Sequence, residues 1–262
     1  MNVRVAALSV LVLGLHLLAM TLRAQDYDVP IANPLEARIL TMWQVTPDRM
    51  RLDIGASPSL HRPDPRFDIG VDFFTLTRLR SEGNFKFPVE TIDYWFGLYG
   101  TFVDTASPLD ARVRVAHIST HLVDGYANDS GVFARQRPFV YSREFVEALV
   151  GWRMPFMRPY AGLTYVWAVQ PRRFERIIPQ AGINVRYPIS SALRVAGGYD
   201  GKLVGIDDVW HAQHAAQIGI EWTTSTNVMN SVNLYRYDGR SLHGMFMDQN
   251  DHYWAIGLQM MF

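Results

Sequence analysis

Cysteine is absent from the 262-residue chain. That excludes a disulfide framework, a thiolate nucleophile and a Cys-ligated metal centre. An excess of charge is missing too: 25 basic residues balance 25 acidic ones. There is neither a basic field for nucleic acid nor an acidic one, and no nucleic-acid partner is expected. Gly-rich phosphate loops and nucleotide fingerprints are likewise wanting. Past the first residues, no run is apolar enough for a transmembrane helix, which needs about 20 residues. Any membrane-spanning structure downstream must then be a closed barrel, the other way of satisfying every backbone group in lipid.

What is present begins with an export signal. Arg4 supplies a positive charge, Val5 to Met20 is nearly all apolar, and Ala24 offers a small residue for cleavage. Residues 1–24 are read as the signal and Gln25 as the mature start. Residues 25–36, with Pro30 and Pro34, read as an irregular periplasmic lead-in, and residues 37–262 as the barrel. At the far end, Trp254, Ile256, Leu258, Met260 and Phe262 share one face of a strand, while Ala255, Gly257 and Gln259 fill the other with small or polar groups. One apolar and one wet face describe a barrel strand, and the terminal aromatic fits a closing strand handed to a barrel-assembly machinery.

Between these ends, runs of about ten residues alternate with turn signals. Strands are expected near 37–45, 50–58, 66–78, 90–103, 111–122, 139–153, 158–170, 175–187, 191–200, 210–223, 228–237 and 251–262. The fold class is therefore all-β: a transmembrane antiparallel up-and-down β-barrel of about 12 strands, an even number. With Phe262 at the periplasm, the connections at 57–65, 105–110, 154–155, 188–190 and 225–227 fall inside and those at 80–88, 123–138, 201–209 and 238–250 outside. Short inner turns and longer outer loops are the barrel habit. The seven tryptophans (Trp43, Trp95, Trp152, Trp167, Trp210, Trp222 and Trp254) lie at or near strand ends, as interfacial girdles do.

Alternation also assigns faces. Phe67, Ile69, Val71 and Phe73 oppose Asp68 and Asp72, and Ile92, Tyr94, Phe96 and Leu98 oppose Asp93. The polar partners mix signs: Asp68, Asp72, Asp93, Arg112, Arg114, Arg143, Glu147, Arg186 and Arg194. Inside a small barrel they would pair, which argues against a wide, ion-selective pore.

The segment from Ala111 to Leu122 carries the candidate chemistry. Turning Arg112 and Arg114 toward lipid would cost about 2–4 kcal/mol each at mid-bilayer, so their face is the lumen. His117, Ser119 and His121 then face outward near the outer end of the strand. On the returning strand Ser142 and Glu144 share the outward parity of Val146, Ala148, Val150 and Trp152. A register that pairs Ser119 with Ser142 also pairs His117 with Glu144, with Cβ atoms about 4.5–5.5 Å apart. Ser119, His117 and Glu144 then form a patch with the roles of nucleophile, general base and orienting carboxylate. Polar rim residues without catalysis are the plainer reading of the same pattern.

This arrangement resembles the outer-membrane lipid esterases, phospholipase A and the lipid A deacylase. The resemblance implies that acyl esters reach the site laterally from the membrane, that Ser119 attacks the ester carbonyl and that His117 takes its proton. Those families tend to carry Asn soon after the Ser, where Thr120 stands. A broader resemblance rests on three segments: 31–38, 117–126 and 141–144. They are similar to a bacterial envelope family known only as a domain of unknown function, with the pattern His-x-Ser-Ser-His-Leu-Gly-Asp-Glu and later Asn-Tyr-Ser-Arg-Glu. Thr120, Val123, Gly125 and Val140 depart from it. This second resemblance implies fold and location and names no reaction.

His117, His121 and Asp124 hint at a metal, but residues four apart on a strand are over ~13 Å apart, so both imidazoles cannot hold one ion. Asp207, Asp208, Asp248 and Asp251 in outer loops are of the kind that bind calcium, or are simply solvated acids. No other cofactor is implied. The expected partners are outer-membrane lipids, and the sequence sets no oligomeric state. Three functions stay open: a lipid or acyl-ester hydrolase, a structural or lipid-contacting barrel with a filled lumen, and a narrow small-solute channel.

Overall fold

Strict two-residue alternation lets a strand show oil-compatible groups on one side and polar groups on the other, and a sheet closed on itself leaves no backbone edge in lipid. The computed structural model describes residues 27–133, 135–223 and 228–262. The expected export signal, residues 1–24, lies outside the described residues. The strands are β1 (Ile39–Gln44), β2 (Arg49–Ala56), β3 (Ser59–Asp64), β4 (Phe67–Arg80), β5 (Val89–Val103), β6 (Leu109–Leu122), β7 (Tyr141–Trp152), β8 (Met157–Gln170), β9 (Ile177–Pro188), β10 (Leu193–Ile206), β11 (Val209–Thr223), β12 (Met229–Arg240) and β13 (Asn250–Met261). β1 pairs antiparallel with β2 and closes onto β13, consecutive strands from β4 to β13 pair antiparallel, and β2 and β3 both pair with β4. The result is a closed barrel of twelve staves, as expected. Among the described residues the helical elements are two short 3-10 turns, Asp124–Tyr126 and Gly244–Phe246.

Two connections differ from the sequence reading. The stretch 57–65, expected as a turn, carries β3, which continues the stave of β2. The chain breaks at Ser57-Pro58 because proline lacks a ladder donor. The Pro58 carbonyl still accepts from Val71 N–H at 3.2 Å, so the two halves stay on β4. The stretch 201–209, expected as a long loop, is mostly strand: β10 and β11 pair to Ile206↔Val209. Asp207 and Asp208 alone make the turn, both at positive φ (51° and 63°). Aspartate tolerates that region better than most side chains, so two acids can replace the usual Asn-Gly.

The exterior follows the predicted parity. Phe73, Leu98, Val115, Ile218 and Leu258 are exposed around the barrel, while Asp72, Arg112, Arg114 and Glu147 are buried inside. Five of the tryptophans, Trp43, Trp152, Trp167, Trp210 and Trp254, are about half exposed, as girdle residues are. Trp95 is a correction. It is 1 % exposed, stacked on Phe74 at 4.9 Å with the Arg114 guanidinium over its ring, because its odd number on β5 faces the lumen.

The lumen is filled from both ends. The irregular lead-in, whose seating the sequence left open, runs inside the barrel: Tyr27, Ile31, Asn33 and Glu36 are buried, as is Arg38 just after it. Glu36 takes hydrogen bonds from Arg112 at 2.7 and 2.6 Å, and Glu147 takes them from Arg112 and Arg114 at 3.1 and 2.9 Å. Asn33 accepts from Lys202 at 2.5 Å, and Ile31 N–H donates to Asn184 at 3.0 Å. These polar residues read as a wet linker only because their partners lie far along the chain. At the other end, the β12–β13 connection folds inward. Met245, Phe246 and Met247 are at most 3 % exposed, with Arg78 over the Phe246 ring at 4.0 Å.

Candidate active site

Arg112 and Arg114 hold β6 in phase. With both arginines locked to Glu36 and Glu147 inside, His117, Ser119 and His121 emerge on the outer surface. β7 then returns with Arg114↔Glu147, His117↔Glu144 and Ser119↔Ser142 as cross-strand partners. His117 Nδ1 lies 2.9 Å from Glu144 Oε1, and the two side chains are 40 % and 31 % exposed. With its Nδ1–H donated to that carboxylate, the imidazole turns Nε2 outward as an acceptor.

The structure therefore brings His117 and Glu144 together. Ser119 shares their face, opposite Ser142 on one side and Tyr94 on the other. Among the described residues no hydrogen bond joins Ser119 to His117. The residues expected as base and orienting acid are in contact, and the one expected as nucleophile stands two residues along without touching the imidazole. Links of this kind commonly tighten only once substrate is bound. His121 is exposed, with its ring edge-on to Tyr94 at 5.8 Å. Asp124 opens the 3-10 turn beyond β6 and takes no part in the pair. Among the described residues no group of three or more His, Asp or Glu is placed to hold a metal.

Thr120, where the esterases carry Asn, faces the lumen. Its hydroxyl donates to Asp93, which also accepts Gly244 N–H at 2.9 Å and lies 2.6 Å from His243 Nδ1. Thr120 therefore helps anchor the inward-folded connection and cannot reach the outer face.

Two features escaped the sequence reading. The β7–β8 ladder slips between Glu144↔Ala168 and Phe145↔Val166, so Trp167 is a bulge residue beside Glu144. Bulges bend a strand and re-aim its side chains. Next to it lies a cleft of about 630 Å³ whose lining includes Ser142, Glu144, Trp167, Gln170, Arg172 and Arg176. The run Arg172-Arg173…Arg176 was the visible signal for it. Arg173 itself turns elsewhere. It binds Asp207 at 2.9 Å and Asp248 at 2.7 Å, two of the acids considered for calcium. That guanidinium holds the Asp207 carboxyl below the usual carboxylate range, chiefly through its hydrogen bonds.

Comparison with known proteins agrees with this architecture. Residues 87–262 match the family described as Protein of unknown function (DUF1207), and the chain belongs to it. No curated protein sequence matches. Among solved structures, outer membrane phospholipase A from Escherichia coli superposes with a TM-score of 0.58 at 13 % identity, over 94 % of this chain and 96 % of that one. The Salmonella typhi outer membrane phospholipase dimer with bound calcium gives 0.58 at 11 % identity, over 94 % and 97 %. At such identities the likeness is one of fold.

Proposed function

We propose that this DUF1207 barrel sits in the bacterial outer membrane and hydrolyses acyl esters of lipids at the patch formed by Ser119, His117 and Glu144. The observation that carries the reading is the 2.9 Å contact between His117 and Glu144, on the outward face, with Ser119 two residues along the same strand. The fold shared with an outer membrane phospholipase adds support without naming this chain's reaction.

In this reading the long-loop end faces outward and the patch lies at headgroup level. The Ser119 hydroxyl attacks the acyl carbonyl as His117 Nε2 takes its proton. Glu144 steadies the imidazolium and fixes its tautomer. The tetrahedral intermediate collapses, the C–O bond to the alcohol breaks, and His117 returns the proton to the departing oxygen. Water, deprotonated by His117, then attacks the acyl-Ser119 ester and frees the fatty acid.

A second reading keeps the barrel as a structural, lipid-contacting envelope protein, and the open gap between Ser119 and His117 favours it. The channel reading finds no support: the path past Arg112, Arg114 and Glu147 is occupied by Glu36 and their mutual ion pairs. The test is fatty-acid release from phospholipid and from lipopolysaccharide by detergent-folded protein, with and without calcium. Release that Ser119→Ala abolishes is the expected result. Release unchanged by Ser119→Ala, or none from the unmutated protein, overturns catalysis.

A further inference from the structure

The cleft beside Glu144 has no role in the chemistry just described. Its lining holds two arginines, Arg172 and Arg176, and one carboxylate, Glu144, which His117 already engages. Arg51, Arg78, Arg112, Arg114 and Arg158 are each neutralised by a carboxylate. Arg173, between the two cleft arginines in sequence, is held by two. Arg172 and Arg176 are exposed and, among the described residues, form no ion pair. Arg176 has one long contact, 3.4 Å to the Tyr165 hydroxyl. Two free guanidinium forks at the mouth of one cleft describe a site for a tetrahedral oxyanion, since each fork can bind two oxygens at once.

Position decides what carries that oxyanion. The cleft opens at the loop end of β7 and β8, with Trp167 on its wall and the apolar outward residues Tyr165, Leu163 and Val146 along the staves below. An indole at that level marks the boundary between headgroups and acyl chains. A ligand with its anion at the arginines and its chains on this apolar wall is a lipid. Gln170 pairs across β7 with Ser142, which pairs with Ser119 on β6. The cleft therefore lies between one strand spacing (Ser142) and two (Gln170) from the serine, about 5–10 Å.

We infer that this cleft binds the phosphate of a membrane lipid through Arg172 and Arg176, and so presents an acyl ester of the same molecule to Ser119. The inference rests on the hydrolase reading and narrows its substrate to phosphate-bearing lipids.

Binding is measured on Ser119→Ala protein, so that turnover cannot consume the ligand. Native mass spectrometry of the detergent-folded barrel compares dioleoyl phosphatidylglycerol with dioleoylglycerol, which has the same chains and no phosphate. The phospholipid is expected to bind more tightly, and R172Q/R176Q on the same background to weaken it by about tenfold or more. Both side chains are exposed, so the variant keeps its fold, checked by heat-modifiable gel migration. Equal binding of the two lipids, or an R172Q/R176Q variant that binds like its parent, overturns the inference. So does full displacement of the phospholipid by inorganic phosphate at matched concentration, which would make the free ion the ligand. Phosphate-selective binding without fatty-acid release by the unmutated protein would remove the hydrolase and leave the cleft. Release without such selectivity would do the reverse.

Discussion

Glu36→Gln is expected to destabilise the barrel by about 3–5 kcal/mol, the range for removing one partner of a buried ion pair. The substitution keeps the side-chain volume and deletes one charge. Of the two oxygens Arg112 donates to at 2.7 and 2.6 Å only one survives as an acceptor, now uncharged, and the guanidinium's other carboxylate contact is 3.1 Å to Glu147, which Arg114 already holds at 2.9 Å. The new amide nitrogen brings donors where Arg112 also presents donors. Water cannot compensate, because the Arg112 and Arg114 side chains are 3 % and 0 % exposed. With a urea dependence of roughly 2–3 kcal/mol per molar, the midpoint should fall by about 1–2 M. The control is Asp64→Asn, which breaks the pair with Arg66, whose side chains are 39 % and 47 % exposed. Both groups face solvent, so that loss is expected to be marginal. Urea titration of detergent-folded protein, followed by tryptophan fluorescence, reads both. A midpoint shift for Glu36→Gln no larger than for Asp64→Asn would refute the view that the interior cluster ties the lead-in to the wall.

Three further outcomes are expected. Glu144→Gln should lower kcat for acyl-ester hydrolysis by about 10²–10⁴-fold through loss of the imidazole's orienting charge; an unchanged kcat would remove Glu144 from the mechanism. Gly182→Ala should cost about 1–3 kcal/mol by overpacking, since an added Cβ would stand 2.3 Å from both the Tyr160 hydroxyl and the Tyr199 carbonyl. Gly100→Ala, with nothing within 4 Å, should cost far less, and equal thermal shifts would contradict this. The contact between Arg173 and Asp207 depends on pH with a definite sign. Because the folded-state pKa of Asp207 is lowered, the contribution is complete above the ordinary carboxylate pKa of about 3.9 and is lost as pH falls through the lowered value. Hydrogen exchange at residues 206–209, corrected for intrinsic rate, should rise only in that acid window; a rise already near neutrality would contradict the assignment.

Much of the architecture is legible in single residues. Arg112 and Arg114 fix the parity of β6, and parity with strand direction delivers the facing of His117 and Glu144 without further information. Where alternation was the signal, as in Ile256 and Leu258 against Gly257 and Gln259, the face assignment held. Where the signal was composition, it misled. Asn33 and Glu36 look like linker residues because their partners Lys202 and Arg112 are 169 and 76 positions away. Trp95 looked like girdle material because tryptophan usually is, although its odd number on β5 placed it inside. Pro58 read as a turn, yet it only interrupts a stave. The Trp167 bulge has no sequence mark, since a slip of one residue between neighbours is a property of the pair. Residues 238–250 were expected as an outer loop, and the burial of Met245, Phe246 and Met247 shows that this loop folds inward instead.

The lead-in and the inward-folded connection have one more consequence. The first is continuous with β1 and the second with β13, the two staves that meet along the single contact between the start and the finish of the sheet. Whatever draws those staves together also carries the stuffing in with them. In the finished cylinder, filling and closing seam are thus neighbouring stretches of the same chain.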